Sequence, residues 1–112
     1  MHILLTRPLE DCGNLLIKFK DLGHAVSHLP VIKIKKLKYK EPNFNDYSAV
    51  IFTSSNSIKN LSIDSIKKTT KCFCVGSATE KFARSSGFQN VISADGSVRA
   101  LKELILQNHD KK

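Results

Sequence analysis

The sequence predicts an α/β fold built on a parallel sheet, and three observations predict it. Short uncharged apolar runs recur along the chain, too far apart for hairpins. Amphipathic helical stripes lie between them. Polar turns rich in Thr, Ser and Gly follow the runs directly, where helix N-caps belong. Strands alternating with helices in this way belong to the α/β class. With five strands, the default is a flavodoxin-like parallel sheet in the order 2-1-3-4-5, flanked by helices.

The first run, Ile3-Leu4-Leu5, ends in Thr6-Arg7-Pro8 and reads as a buried parallel strand followed by a turn. Cys12, Leu15, Leu16, Phe19 and Leu22 then form one helical stripe, with Glu10 and Asp11 in the first turn, where they suit the helix dipole. Gly23 sits where the helix end needs a positive φ. Residues 25–31 read as the second strand. Residues 1–32 thus make a β-α-β unit, whose crossover is right-handed and whose strands are parallel.

Residues 33–45 follow as a basic, extended linker carrying Pro42. Lysines alternate with apolar residues at Ile32-Lys33-Ile34-Lys35, the pattern of a strand with one wet face or a lysine-protected edge. Residues 46–108 read as a second unit, β-α-β-α-β-α. Val50-Ile51-Phe52 is its first strand and runs into Thr53-Ser54-Ser55-Asn56, with a short helix from Asn56 to Leu61. Cys72-Phe73-Cys74-Val75 is the next strand, turning at Gly76-Ser77-Ala78-Thr79 into a helix that stops at Gly87. Val91-Ile92-Ser93 is a weak last strand. Ser97 caps a final helix with the stripe Val98, Leu101, Leu104 and Ile105, and residues 109–112 read as a frayed tail.

Composition narrows the functional classes. The 112 residues are 41% hydrophobic and 25% charged, ordinary for one globular domain and not for a disordered chain. No apolar run approaches the roughly 20 residues of a membrane span, and the N-terminus lacks the pattern of a signal peptide. Three cysteines, an odd number, fit free thiols in a reducing compartment, so a cytoplasmic location is expected. The excess of 18 basic over 10 acidic residues, +8, favours an anionic partner. Nucleic acid is not the expected one, because no RNP, zinc-finger or Gly-x-x-Gly clamp accompanies the lysines.

Chemistry is expected at the carboxyl ends of the strands, where open parallel sheets bind ligands. Three polar turns fall there, Thr6-Arg7-Pro8, Thr53-Ser54-Ser55-Asn56 and Gly76-Ser77-Ala78-Thr79. Their hydroxyls and free N–H groups at helix starts can hold carboxylates or phosphates without a metal. The same residues also serve simple helix capping. No Gly-x-Gly-x-x-Gly, P-loop or Gly-x-Ser-x-Gly motif is present. A single Cys-x-Cys pair lacks the other half of a zinc site, so Cys72 and Cys74 are expected to be buried and inert. Cys12 belongs with the helix stripe, and His24 and His28 read as turn or surface residues.

Taken in order, these motifs resemble the uroporphyrinogen-III synthase family. The shared features are a strand ending Thr6-Arg7-Pro8, then Gly23 and Pro30, then Asp46-Tyr47 before Phe52-Thr53-Ser54. Val75-Gly76-Ser77-Ala78-Thr79 and Ala94-Asp95-Gly96 complete the series. The resemblance implies cyclisation of hydroxymethylbilane to uroporphyrinogen III with inversion of the last pyrrole ring, part of tetrapyrrole and haem biosynthesis. It implies no metal and no cofactor. The substrate is a polycarboxylate, in keeping with the basic charge. The resemblance also implies that Thr6, Arg7, Thr53, Ser54, Ser55, Asn56, Gly76, Ser77 and Thr79 line the substrate site, with no acid–base triad among them.

Family members are about twice this length, with two α/β domains joined by a two-stranded linker around the cleft. Two arrangements are therefore open. The β-α-β unit folds onto its own later strands, or two chains exchange residues 1–32 and form a homodimer. A non-catalytic synthase-like module that binds a small polyanion or a partner protein is the competing functional class.

Overall fold

The computed structural model describes residues 1–108; the expected tail at 109–112 lies outside the described residues. The chain forms two compact units, Met1–Lys36 and Leu37–Lys112.

The first unit is a single β-α-β element. β1 (His2–Leu5) and β2 (Ala25–His28) pair in parallel, Ile3 opposite Val26, with α1 (Leu9–Asp21) between them in sequence. Pro8 supplies the N-cap of α1, where its missing N–H costs nothing. Glu10 and Asp11 occupy the first turn, and Lys18 and Lys20 the last, matching the helix dipole at both ends. Gly23 takes φ +85° just beyond, as its place in the sequence requires. The apolar stripe of α1 is only partly used. Cys12 is buried, whereas Leu15 and Leu22 are exposed.

The second unit carries β3 (Ala49–Phe52), α2 (Ser55–Asn60), β4 (Lys71–Val75), α3 (Ser77–Ser85), β5 (Asn90–Ala94) and α4 (Val98–Gln107). Its sheet is parallel, in the order β3-β4-β5, with Phe52 opposite Cys74 and Cys74 opposite Ser93. Two short 3-10 turns that periodicity did not predict, Phe44–Asp46 and Ile63–Ser65, lead into β3 and follow α2. Asn43 caps the first of them by accepting from the Asn45 N–H at 3.2 Å.

Both faces of this sheet are covered. Cys72 and Cys74 face a core with Phe52, Ile58, Ala83 and Phe88. Phe73, between them in sequence, points the other way and packs with Ala94 and Leu101. The period-2 alternation of a strand thus explains why Cys-Phe-Cys is apolar throughout: each side is buried. The Phe52 and Phe88 rings meet at 5.8 Å between centroids.

The strands lie in two parallel sheets, β1 and β2 in one and β3, β4 and β5 in the other. Two expectations need correction. The lysine alternation at Ile32-Lys33-Ile34-Lys35 forms no strand, and the second strand stops at His28 rather than residue 31. A strand exists only when another strand takes its backbone groups, and here none does. No helix among the described residues is long and apolar enough to cross a membrane.

Candidate functional site

The parallel register of the second unit brings three strand-to-helix turns to one edge of its sheet. Phe52 aligns with Cys74 and Val75 with Ala94, so the turns after β3, β4 and β5 emerge side by side. Adjacent strands lie about 4.8 Å apart, which sets the spacing of the turns.

In the turn after β3, Thr53 is exposed and Ser54, Ser55 and Asn56 are half-buried. Ser54 is the N-cap of α2, and its hydroxyl accepts the Asn56 N–H at 3.2 Å. This use takes one lone pair, so the Ser54 O–H proton remains a donor. The Asn56 carbonyl accepts from Asn60 Nδ2 at 2.8 Å, which fixes the short helix behind the turn.

The turn after β4 is built on Gly76, at φ +87°. Gly76 is also the N-cap of α3, and no side chain caps that helix. The first N–H groups of α3 therefore face outward with the positive end of the helix dipole, beside the exposed Ser77. Glu80, the acidic residue of that first turn, is drawn to Arg84 at 3.1 Å. Arg84 also donates to the Val91 carbonyl at 3.0 Å. Thr79 lies in the first turn of α3 and not in the open loop; it is buried, with 6% of its surface exposed.

Ser97, after β5, caps α4 by accepting the Ala100 N–H at 3.2 Å. Sequence reasoning identified Ser97 as a cap but left it out of the site. The signal was present, since a Ser before an apolar helical stripe at a strand's carboxyl end is the same pattern as Ser54. Asp95 is exposed at this third turn and sets a negative charge beside the hydroxyls.

Thr6 and Arg7 belong to the first unit. Both are exposed after β1. The Arg7 carbonyl accepts from His28 Nε2 at 2.7 Å and from Cys12 Sγ at 3.6 Å, while the Thr6 carbonyl accepts the Val31 N–H at 3.0 Å. The Arg7 main chain is thus anchored, and its guanidinium is not part of that anchoring. Beside this turn, a groove of about 500 Å³ runs between Pro8, Leu9 and Glu10 and the stretch from His28 to Ile34.

Cys72 and Cys74 are poor nucleophiles in this fold. Burial, then the neighbouring Cys74, pushes Cys72 up to about 12, with Lys68 opposing. Burial also pushes Cys74 up, with Glu80 adding to it and Arg84 opposing. Both stay protonated at neutral pH, which removes the thiolate that covalent catalysis needs. The arrangement offers instead hydroxyl and N–H donors at one sheet edge, suited to binding carboxylates.

The family model of uroporphyrinogen-III synthase HemD matches residues 15–112. A porphyrin biosynthesis protein HemD from Ruminiclostridium josui is 30% identical over 99 aligned residues, covering 76% of this chain and 20% of the relative. The chain thus spans about a fifth of the length of the curated relative it matches. The chain belongs to the uroporphyrinogen-III synthase family.

Proposed function

We propose that this chain acts in tetrapyrrole biosynthesis by closing hydroxymethylbilane to uroporphyrinogen III, a cyclising dehydration that inverts the last pyrrole ring. The observation that carries the reading is the alignment of the Thr53–Asn56 and Gly76–Thr79 turns at one sheet edge, in a chain of this family. Ser54 and Asn56 hold substrate carboxylates through O–H and amide donors. Ser55, Ser77 and Thr53 add donors around them, and the uncapped start of α3 at Gly76 supplies N–H groups and the helix dipole. Thr6 and Arg7 contribute from the first unit, Arg7 as a cation for a carboxylate. Thr79 holds the first turn of α3 in place for these contacts, as well as being a candidate contact itself.

Loss of the terminal hydroxyl of the bilane leaves a cationic, azafulvene-like end. The chain's task is then to hold the linear tetrapyrrole folded so that ring closure goes through the inverted ring. That is catalysis by positioning, with modest proton transfer. It accounts for donors without an acid–base triad. The reading places the chain in the cytoplasm. It treats residues 1–32, 33–45 and 46–108 as exchange unit, linker and receiving unit of a homodimer with flavodoxin-like sheets.

The test is a product assay. The purified chain is given hydroxymethylbilane and the oxidised uroporphyrin isomers are separated. Spontaneous closure gives the type I isomer, so a catalytic excess of type III supports the reading and type I alone overturns it. The burial of Thr79 favours a second reading, a non-catalytic module that binds a polyanion or a partner protein. Tight binding of the bilane without type III product would select it.

A further inference from the structure

The three turns at the carboxyl edge of the second unit's sheet carry a single carboxylate, Asp95, and it is exposed. The other acids of the unit lie elsewhere. Asp46 and Asp64 sit in the 3-10 turns before β3 and β4, at the opposite end of the strands, and Glu103 is on α4. Glu80 is held by Arg84 at 3.1 Å. Among the described residues Asp95 enters no ion pair. Arg99, the cation nearest to it in sequence, lies in the first turn of α4 and does not pair with it. Ser97, not Asp95, caps that helix.

The backbone on either side of Asp95 is fixed. The Ala94 carbonyl accepts the Gly76 N–H and the Gly96 N–H, each at 3.0 Å, and Gly96 takes φ +58°. Val75 is aligned with Ala94, and Phe52 with Cys74. By that register Asp95 leaves the sheet one strand from Gly76 and two strands from Ser54, about 5 and 10 Å away. A carboxylate at that distance repels the carboxylates that the Ser54 and Gly76 turns would hold. Binding of a polycarboxylate therefore gains nothing from Asp95. What Asp95 favours is positive charge, and the proposed reaction creates it. The C–O bond of the terminal hydroxymethyl group breaks, and the oxygen leaves with the bonding pair and takes a proton from solvent to depart as water. The pyrrole nitrogen supplies electrons to the carbon left behind, so that ring becomes a cation that keeps its N–H.

The geometry points to Asp95 as the counter-charge of that cation, its carboxylate accepting the terminal pyrrole N–H as the hydroxyl leaves. This rests on the reading above and adds to it the residue that favours the charged state over the bound substrate. Only an interaction that is stronger in the transition state speeds the chemical step, and a fixed charge aimed at developing charge is such an interaction. The hydroxyl and N–H turns hold the substrate, and Asp95 acts on the step that follows.

Kinetics of three variants test the assignment. Asp95→Asn keeps the shape of the side chain and removes its charge. Its kcat for type III product is expected to fall about tenfold, below the loss seen for enclosed sites because an exposed charge is screened. Its KM for the bilane is expected to fall as well, because a repulsion is removed. Asp95→Glu is expected to recover most of the rate. Glu103→Gln removes the same charge from an exposed position on α4 and is expected to leave both constants unchanged. Urea midpoints are expected to match the native chain in all three. An Asp95→Asn chain with native kcat, or one whose loss lies in a raised KM, overturns the proposal and leaves the reading of the function standing. So does Asp95→Glu no faster than Asp95→Asn. A lowered urea midpoint with native kcat would assign Asp95 to the dipole of α4 instead. Type I isomer alone from the native chain overturns the reading and the proposal together.

Discussion

The Gly76 N–H donates to the Ala94 carbonyl at 3.0 Å and ties the end of β4 to the end of β5. This bond holds the turn after β4 in place while Gly76 adopts φ +87°, a conformation that side chains rarely take. The uncapped start of α3 owes its position to this pair.

Gly76→Ala tests that relationship. The space around a new Cβ is open, with nothing within 4 Å, so the penalty is backbone strain alone. A loss of about 1–3 kcal/mol is expected by urea denaturation of the second unit, because φ +87° with ψ 151° is a region essentially reserved for glycine. A smaller loss would mean that the turn relaxes without cost.

Ser54 and Ser97 separate capping from binding. Both accept an N–H at the start of a helix, at 3.2 Å. Replacing either by Ala is expected to cost about 1 kcal/mol of stability. Only Ser54→Ala is expected also to raise KM for the bilane. Equal effects of the two variants on KM would remove Ser54 from the site.

Thr79→Val keeps the shape of a buried side chain and removes its hydroxyl. If the hydroxyl contacts a substrate carboxylate, turnover is expected to fall about tenfold or more, the worth of one hydrogen bond to a charged group. A denaturation midpoint near that of the native chain separates this from unfolding. Unchanged turnover would leave Thr79 a structural residue of α3.

Cys72 predicts a pH limit. Its unfolded pKa of 9.0 is raised to about 12 in the fold, so above pH 9 the unfolded chain binds fewer protons than the native one. Its contribution to stability is therefore complete below pH 9 and is lost as pH rises from 9 towards 12. Denaturation midpoints across that range should fall less steeply in Cys72→Ala than in the native chain. In the native fold at pH 8, an aromatic disulfide reagent should leave Cys72 and Cys74 unmodified, and it should reach them on denaturation.

Much of this was legible in the sequence because it is local. The stripe in residues 98–105 predicted α4, and Ser97 predicted its cap. Gly23 and Gly87 marked helix ends and take positive φ there. Phe52-Thr53-Ser54 announced a strand, a turn and an N-cap in three residues. The misses were of another kind. Ile32-Lys33-Ile34-Lys35 has a strand's alternation but no neighbouring strand, and the two 3-10 turns carry no periodic signal. Leu15 and Leu22 sit on the predicted stripe of α1 yet stay exposed, because a stripe is buried only where something covers it.

Most strands and helices, the family and the hydroxyl-bearing turns were legible in the sequence alone. These depend on the spacing and type of near neighbours along the chain. The tertiary structure alone decided that the strands divide into sheets of two and three, that Thr79 is buried while Thr53 is exposed, and that β3 is left as an edge. Pairing and burial join residues far apart in sequence, and a local pattern states that a face is apolar without stating what meets it.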